Sequence, residues 1–291
     1  MDRHPAHVRV LPVLRLVRAG NLAVAFVGTL VGAAAGGGFG FFDSLSGVVI
    51  ALAAAVSTTL ATAAGNVLND LGDRESDRVN HPERPLVTEA VSVNRARGIA
   101  VGGFVAGGLV VVPFAVSHWL LPAIYLVAVA VLLAYEFRLK TLGLPGNLAV
   151  AALTGAVFLY GGAAAGNVVP LLAFAAMATL ATLSRELTKD IEDLAGDIDR
   201  TTFPKVHGTR SAVVLARAAI ASAIALSAVP LLGLLAIGSG AGIIYLVLVG
   251  AADAMFVLSV AWLPGRVHWE QTVSKLGMAV ALGAFLAAAF R

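Results

Sequence analysis

Nine runs of this chain are each long and apolar enough to cross a bilayer, and no other feature limits the fold so severely. A helix that spans the hydrocarbon layer needs about 20 predominantly apolar residues. Runs of that kind lie near residues 19–38, 45–66, 98–117, 119–137, 147–165, 168–184, 213–235, 241–263 and 272–290. The expected fold class is therefore all-α: a polytopic membrane protein with nine transmembrane helices, forming a single domain over residues 1–291. Only Ser117, His118 and Trp119 separate the third run from the fourth, which predicts a tight turn there. The N-terminal region leads into an ordinary spanning run, not a small-residue cleavage site, so no cleavable signal peptide is expected. The chain has no cysteine, which excludes disulfides, thiolate chemistry and Cys-ligated metal centres.

The few charges are distributed unevenly. Arg3, Arg9, Arg15 and Arg18 precede the first run; Arg74, Arg78, Arg84, Arg95 and Arg97 lie between the second and third. Arg138 and Lys140 follow the fourth, Arg185 to Arg217 surround the connection from sixth to seventh, and Arg266 and Lys275 follow the eighth. If the runs alternate in direction, all of these fall on one face. The opposite loops, near 39–44, 118, 166–167 and 237–240, contain no Lys or Arg, which leaves only Arg291 on that side. The positive-inside rule then places the N-terminus in the cytoplasm of a multi-pass cell-membrane protein. Arg95, Arg97, Arg210 and Arg217 are expected to meet lipid headgroups.

On that same face lie two acidic clusters. In "NDLGDRESD", Asp70, Asp73 and Asp77 are spaced i, i+3, i+7; in "DIEDLAGD", Asp190, Asp193 and Asp197 repeat the spacing 120 residues later. On a helix this spacing aligns three carboxylates along one stripe, with Glu75 pointing away. The shared offset reads as a weak internal repeat, runs 1–4 against runs 5–8, with the ninth extra. Two carboxylate stripes facing one another repel, so something cationic must lie between them. Hard divalent cations with oxygen ligands fit best, and Mg²⁺ commonly bridges carboxylates to phosphate oxygens. Arg18, Arg74, Arg78, Arg84, Tyr135, Lys140, Arg185, Lys189 and Lys205 flank the clusters and could neutralise the remaining phosphate oxygens. The glycines of "GTLVGAAAGGGFG" at 28–40 follow no strand and carry no Gly-Lys-Ser/Thr, so close helix packing is their expected role.

These residues resemble the UbiA-type intramembrane prenyltransferase superfamily. "NDLGDRESD" at 69–77 is similar to its NDxxDxxxD motif, "DIEDLAGD" at 190–197 to its second aspartate motif, and "YEFRLK" at 135–140 to its Tyr/Lys motif. The resemblance implies a bundle around a central, lipid-accessible cavity, closed on the cytoplasmic side by cap loops near 78–97 and 198–212. It implies Mg²⁺ held by Asn69, Asp73, Asp77, Asp190, Asp193 and Asp197, with Asp73, Asp77, Asp193 and Asp197 as the catalytic carboxylates. Arg18, Asn66, Arg74, Tyr135, Lys140 and Lys189 would bind substrate. The substrates implied are an isoprenyl diphosphate and an acceptor, with membrane lipids around them and neither nucleic acid nor a protein partner. Within the superfamily, "SRELTKDIEDLAGD" at 184–197 is most similar to archaeal enzymes that add a second geranylgeranyl chain to geranylgeranylglyceryl phosphate, a step of archaeal ether-lipid biosynthesis. "RPLVTEAVS" at 84–92 departs from the related "RPLPSG" and leaves the shape of the first cap open.

Two other readings remain. An aromatic acceptor (a quinone, chlorophyllide or haem precursor) would use the same prenyl-transfer machinery. An ion-coupled transporter would make Asp253, near the middle of the eighth run, a functional carboxylate; the bland alternative is a side chain hydrogen-bonded to a neighbouring helix.

Overall fold

Hydrocarbon offers a backbone N–H or C=O no partner, so each spanning segment must close its own hydrogen bonds. The computed structural model describes residues 10–195 and 201–290, and its regular elements there are all helical, with no strand among the described residues. They are α1 (Val10–Leu16), α2 (Ala19–Gly37), α3 (Leu45–Gly72), α4 (Arg74–Asn80), α5 (Val93–Val111), α6 (Leu120–Phe137), α7 (Leu144–Ala164), α8 (Leu171–Glu192), α9 (Phe203–His207), α10 (Thr209–Ala236), α11 (Ala241–Ala261) and α12 (Val267–Ala287). Arg3, Arg9, Asp197, Arg200 and Arg291 lie outside the described residues.

Eight of these helices are long and apolar enough to cross a membrane: α2, α3, α5, α6, α7, α8, α10 and α11. The expected ninth, α12, is helical but falls outside that set; its first three turns carry His268, Glu270, Gln271 and Lys275. Local signals set several boundaries. The Ser44 hydroxyl accepts from the Gly47 N–H at 3.0 Å and starts α3, and Ser92 does the same for α5. The third apolar run extends to 117, yet α5 ends at Val111. Pro113 has no N–H to continue the ladder, and a 3-10 turn over Val112–Phe114 leads into the tight turn before α6. The second cap is not simply a loop, since α9 lies within it and α10 already begins at Thr209.

Small residues let the bundle close. α2 lies along α7, which lies along α8, and α8 along α10; α3 pairs with α5, and α11 with α12. A Cβ at Gly32 would sit 2.5 Å from the Phe158 carbonyl oxygen, and one at Gly161 would overlap the Thr29 carbonyl. These are backbone obstacles, so the packing role expected of the 28–40 glycines holds at Gly32, and also at Gly28 and Gly36, whereas Gly38 serves a turn at φ 70°. Gly32→Val is therefore expected to lower the melting temperature of the detergent-solubilised protein by several degrees, because overpacking at a rigid contact costs roughly 1–3 kcal/mol. Elsewhere the helices show lipid an apolar face: Val101, Val105 and Leu109 form an i, i+4, i+8 stripe on α5, each more than half exposed.

Two charged residues within or beside the bundle have structural partners. Asp253 Oδ2 accepts from the Ser227 hydroxyl at 2.9 Å, joining α11 to α10. That is the bland reading of an intramembrane carboxylate, and it removes the particular support for transport. Arg217, expected at the headgroups, is exposed and donates from Nε to Val260 O at 3.1 Å and from Nη2 to Leu263 O at 3.0 Å. It satisfies carbonyls at the C-terminal end of α11, where a cation also complements the helix dipole.

Candidate active site

The first acidic cluster is built at a corner. α3 ends at Gly72, Asp73 turns with φ −90° and ψ 4°, and α4 starts at Arg74. The straight three-carboxylate stripe expected from the spacing is thus bent at its middle member, where Gly72 weakens the helix. The i→i−4 bonding continues through the corner: Asp73 N–H reaches Asn69 O at 2.9 Å, and Asp77 N–H reaches Asp73 O at 2.8 Å. Asp70, Asp73 and Asp77 therefore remain on successive turns.

Each carboxylate has a basic partner. Asp70, 3% exposed, accepts from Arg18 Nη2 at 2.6 Å and from Arg84 Nη1 at 3.3 Å. The same Arg84 nitrogen reaches Asp77 Oδ2 at 2.6 Å. Burial pushes the Asp77 carboxyl above its usual range; the Arg84 guanidinium opposes that shift, and the charges of Asp70 and Asp73 add to it. Asp73 accepts from Asn69 Nδ2 and from Lys140 Nζ, both at 3.0 Å. Within this first cluster the chain's own bases lie between the carboxylates.

Arg18 forms the corner between α1 and α2, and Asn66 of α3 bonds to that corner. Arg18 adopts a left-handed backbone, φ 57° and ψ 67°, which is costly for a residue with a side chain. One turn apart on α3, Asn66 donates to Val17 O at 2.9 Å and Asp70 takes the Arg18 guanidinium, so α3 fixes this conformation. Arg74 reaches Glu89 at 3.5 Å. Glu75 is exposed and paired with Arg78 at 2.8 Å, away from the cluster. Glu75→Ala should leave turnover within about twofold of the parent, as expected for an exposed ion pair, checked by steady-state kinetics. A loss comparable to that of Asp73 substitution would mean the corner is oriented wrongly.

The second cluster ends α8. Asp190 is the last motif aspartate on the helix; Asp193 opens a 3-10 turn and is exposed. Asp190 Oδ2 accepts from Asn147 Nδ2 of α7 at 2.8 Å. A cleft lined by Tyr135, Lys140, Asn147, Lys189, Asp190 and Thr202 opens beside it. Lys140 thus lines this cleft while bonded to Asp73, so one side chain reaches toward both motifs. Asp197 lies outside the described residues. α12 braces the second motif: Gln271 Nε2 donates to Arg185 O at 3.1 Å, and Glu270 beside it is fully buried.

The oxygen donors Asn69, Asp73, Asp77, Asp190 and Asp193 suit a hard divalent cation chemically. Among the described residues no three carboxylates or histidines converge in metal-ligating geometry, and Asp73 and Asp77 face Lys140 and Arg84 instead. Sequence reasoning missed three residues of the site. Glu136 accepts from Lys140, and its i, i+4 spacing to that lysine was a usable signal. Asn147 and Gly72 had no comparable signal.

The UbiA prenyltransferase family model matches residues 21–288. The chain is similar to the digeranylgeranylglyceryl phosphate synthases of Methanothrix thermoacetophila (36% identical over 280 residues, 95% of this chain and 98% of the relative) and Haloquadratum walsbyi (37% over 292, 96% of each). Among solved structures it resembles a digeranylgeranylglyceryl phosphate synthase at 27% identity and TM-score 0.76, covering 97% of this chain and 99% of the other. A UbiA homologue from Archaeoglobus fulgidus, solved with DMAPP and Mg²⁺, shares the fold at 20% identity and TM-score 0.64, covering 94% of this chain and 98% of the other.

Proposed function

This chain belongs to the UbiA prenyltransferase family, and we propose that it transfers a geranylgeranyl group from geranylgeranyl diphosphate to geranylgeranylglyceryl phosphate, giving digeranylgeranylglyceryl phosphate. The reading is carried by one juxtaposition: Lys140 bonds the first motif at Asp73 and lines the cleft of the second at Asp190. The synthase relatives supply the choice of acceptor.

In this reading Asn69, Asp73, Asp77, Asp190, Asp193 and Asp197 hold Mg²⁺. Bound Mg²⁺ would neutralise charge developing on the leaving diphosphate. Lys140, Lys189 and Tyr135 bind the diphosphate oxygens from the cleft. The C1–O bond breaks to an allylic cation and diphosphate; the acceptor hydroxyl oxygen forms the new ether bond at C1, and its proton is released. The caps near 78–97 and 198–212 keep water, a competing nucleophile, from the cation. Arg18, with a third of its side chain exposed, and Arg74 face the acceptor phosphate, while Asn66 keeps the Arg18 corner in place.

The Lys/Arg bias supports a site facing the cytoplasm, with the N-terminus on the same side. Packing of α12 along α11 and α8 supports it as a ninth span. An acceptor panel tests the function. Purified protein with Mg²⁺ and geranylgeranyl diphosphate should prenylate geranylgeranylglyceryl phosphate, as judged by product mass. Product from an aromatic acceptor, with none from the lipid phosphate, would overturn the assignment.

A further inference from the structure

We propose that Glu136 is a positioning residue for diphosphate recognition, holding the Lys140 ammonium between the two acidic motifs in a slot that exists because residue 72 is glycine. The inference rests on the reading above, in which Lys140 binds the diphosphate.

The geometry starts from the end of α6. Glu136 lies on its last turn, 8% exposed, and Arg138 leaves helical geometry at φ −146° and ψ −49°. The chain then re-enters a 3-10 turn, Leu139–Thr141, that carries Lys140. Lys140 Nζ donates to Glu136 Oε1 and, at 3.0 Å, to Asp73 Oδ1. A single ammonium is thus shared by carboxylates from two helices, and all three side chains are largely buried. The third wall of the slot is the end of α3. A Cβ at position 72 would overlap Glu136 Oε1 and lie 2.9 Å from Lys140 Nζ. Both obstacles are side-chain tips, so the space beside Gly72 is taken up by this ion pair and by no backbone.

A buried ammonium needs one carboxylate for charge balance, and burying a second carries its own desolvation cost. The second has a use if the first changes partners. When Asp73 turns to a ligand, a lysine paired with Asp73 alone would lose its anchor. Its flexible four-carbon stem would no longer present the charge at a fixed point. Glu136 retains the ammonium, and Lys140 still has N–H donors for the cleft.

The test is a double-mutant cycle of Glu136→Gln and Lys140→Ala, reading KM for geranylgeranyl diphosphate and, separately, the affinity for inorganic diphosphate by titration calorimetry. In the parent background, Glu136→Gln should raise KM by about tenfold with kcat within about twofold, and weaken diphosphate to a similar degree. In the Lys140→Ala background the same change should leave KM unchanged or lower it, because Glu136 is then an uncompensated negative charge near the anion. Gly72→Ala, which displaces the Glu136 carboxylate without a backbone clash, should reproduce the rise, and it carries the same test if Glu136→Gln does not fold. An equal rise in both backgrounds would overturn the inference, because it would mean that Glu136 does not act through Lys140. If Lys140→Ala raises KM while neither Glu136→Gln nor Gly72→Ala does, this inference alone falls. If Lys140→Ala leaves KM unchanged, the reading of Lys140 falls and the inference falls with it.

Discussion

Asp73→Asn is expected to reduce kcat by roughly a thousandfold while leaving the protein folded, since each ~1.4 kcal/mol of lost transition-state stabilisation is tenfold in rate and a metal-binding carboxylate contributes several. Asp73 sits at the corner between α3 and α4, where its two oxygens meet Asn69 and Lys140. Asparagine keeps the shape and a carbonyl acceptor for Asn69, so the corner should survive; what is removed is the charge. Wild-type-like thermal melting together with collapsed turnover in a single-turnover assay is the predicted pattern. Retention of more than about a tenth of the activity would mean that Asp73 serves only as a counter-ion of Lys140, an ammonium that Glu136 also holds.

Chelation should have an effect of similar size. Prenyl transfer is expected to fall at least a hundredfold in EDTA and to return with excess Mg²⁺, since neutralising a leaving diphosphate is worth several kcal/mol, about 1.4 kcal/mol per tenfold. In the described residues the first-motif carboxylates are paired with bases: Asp77 with Arg84, Asp73 with Lys140, which Glu136 shares, and Asp70 with Arg18 and Arg84. These ion pairs hold the corner through the chain's own side chains, so the protein is expected to remain folded in EDTA. Loss of activity should accompany an unchanged melting curve. Full activity after exhaustive chelation would show that these bases, rather than a divalent cation, carry the chemistry.

What the sequence displayed was local. Eight spanning helices follow from runs of apolar residues, and the two motifs follow from their matched spacing. The ninth helix was legible as a helix, but its polar first turns put it outside the composition of the others. The partners were not legible. Arg18 meets Asp70 across 52 residues, Lys140 meets Asp73 across 67, and Asn147 meets Asp190 across 43. Such pairs are set by which helices lie side by side, and no periodicity within one helix encodes that. The bend at Gly72 was hidden for the same reason: what demands a glycine there is a carboxylate from α6. The bonds of Arg217 to the end of α11 were not legible either, because a positive-inside residue and a cap for a neighbouring helix end look alike in sequence.

In the proposed function the site reads a second anion, the phosphate of a lipid acceptor, beside the diphosphate. The most direct measurement offers the purified protein equimolar geranylgeranylglyceryl phosphate and geranylgeranylglycerol, with Mg²⁺ and limiting geranylgeranyl diphosphate, and resolves the products by mass. Two charge-assisted contacts from arginines such as Arg18 and Arg74 are worth ~3 kcal/mol together, so the phosphorylated product should exceed the other by about a hundredfold. Equal yields of the two products would contradict the account, because the acceptor phosphate would then contribute nothing to recognition.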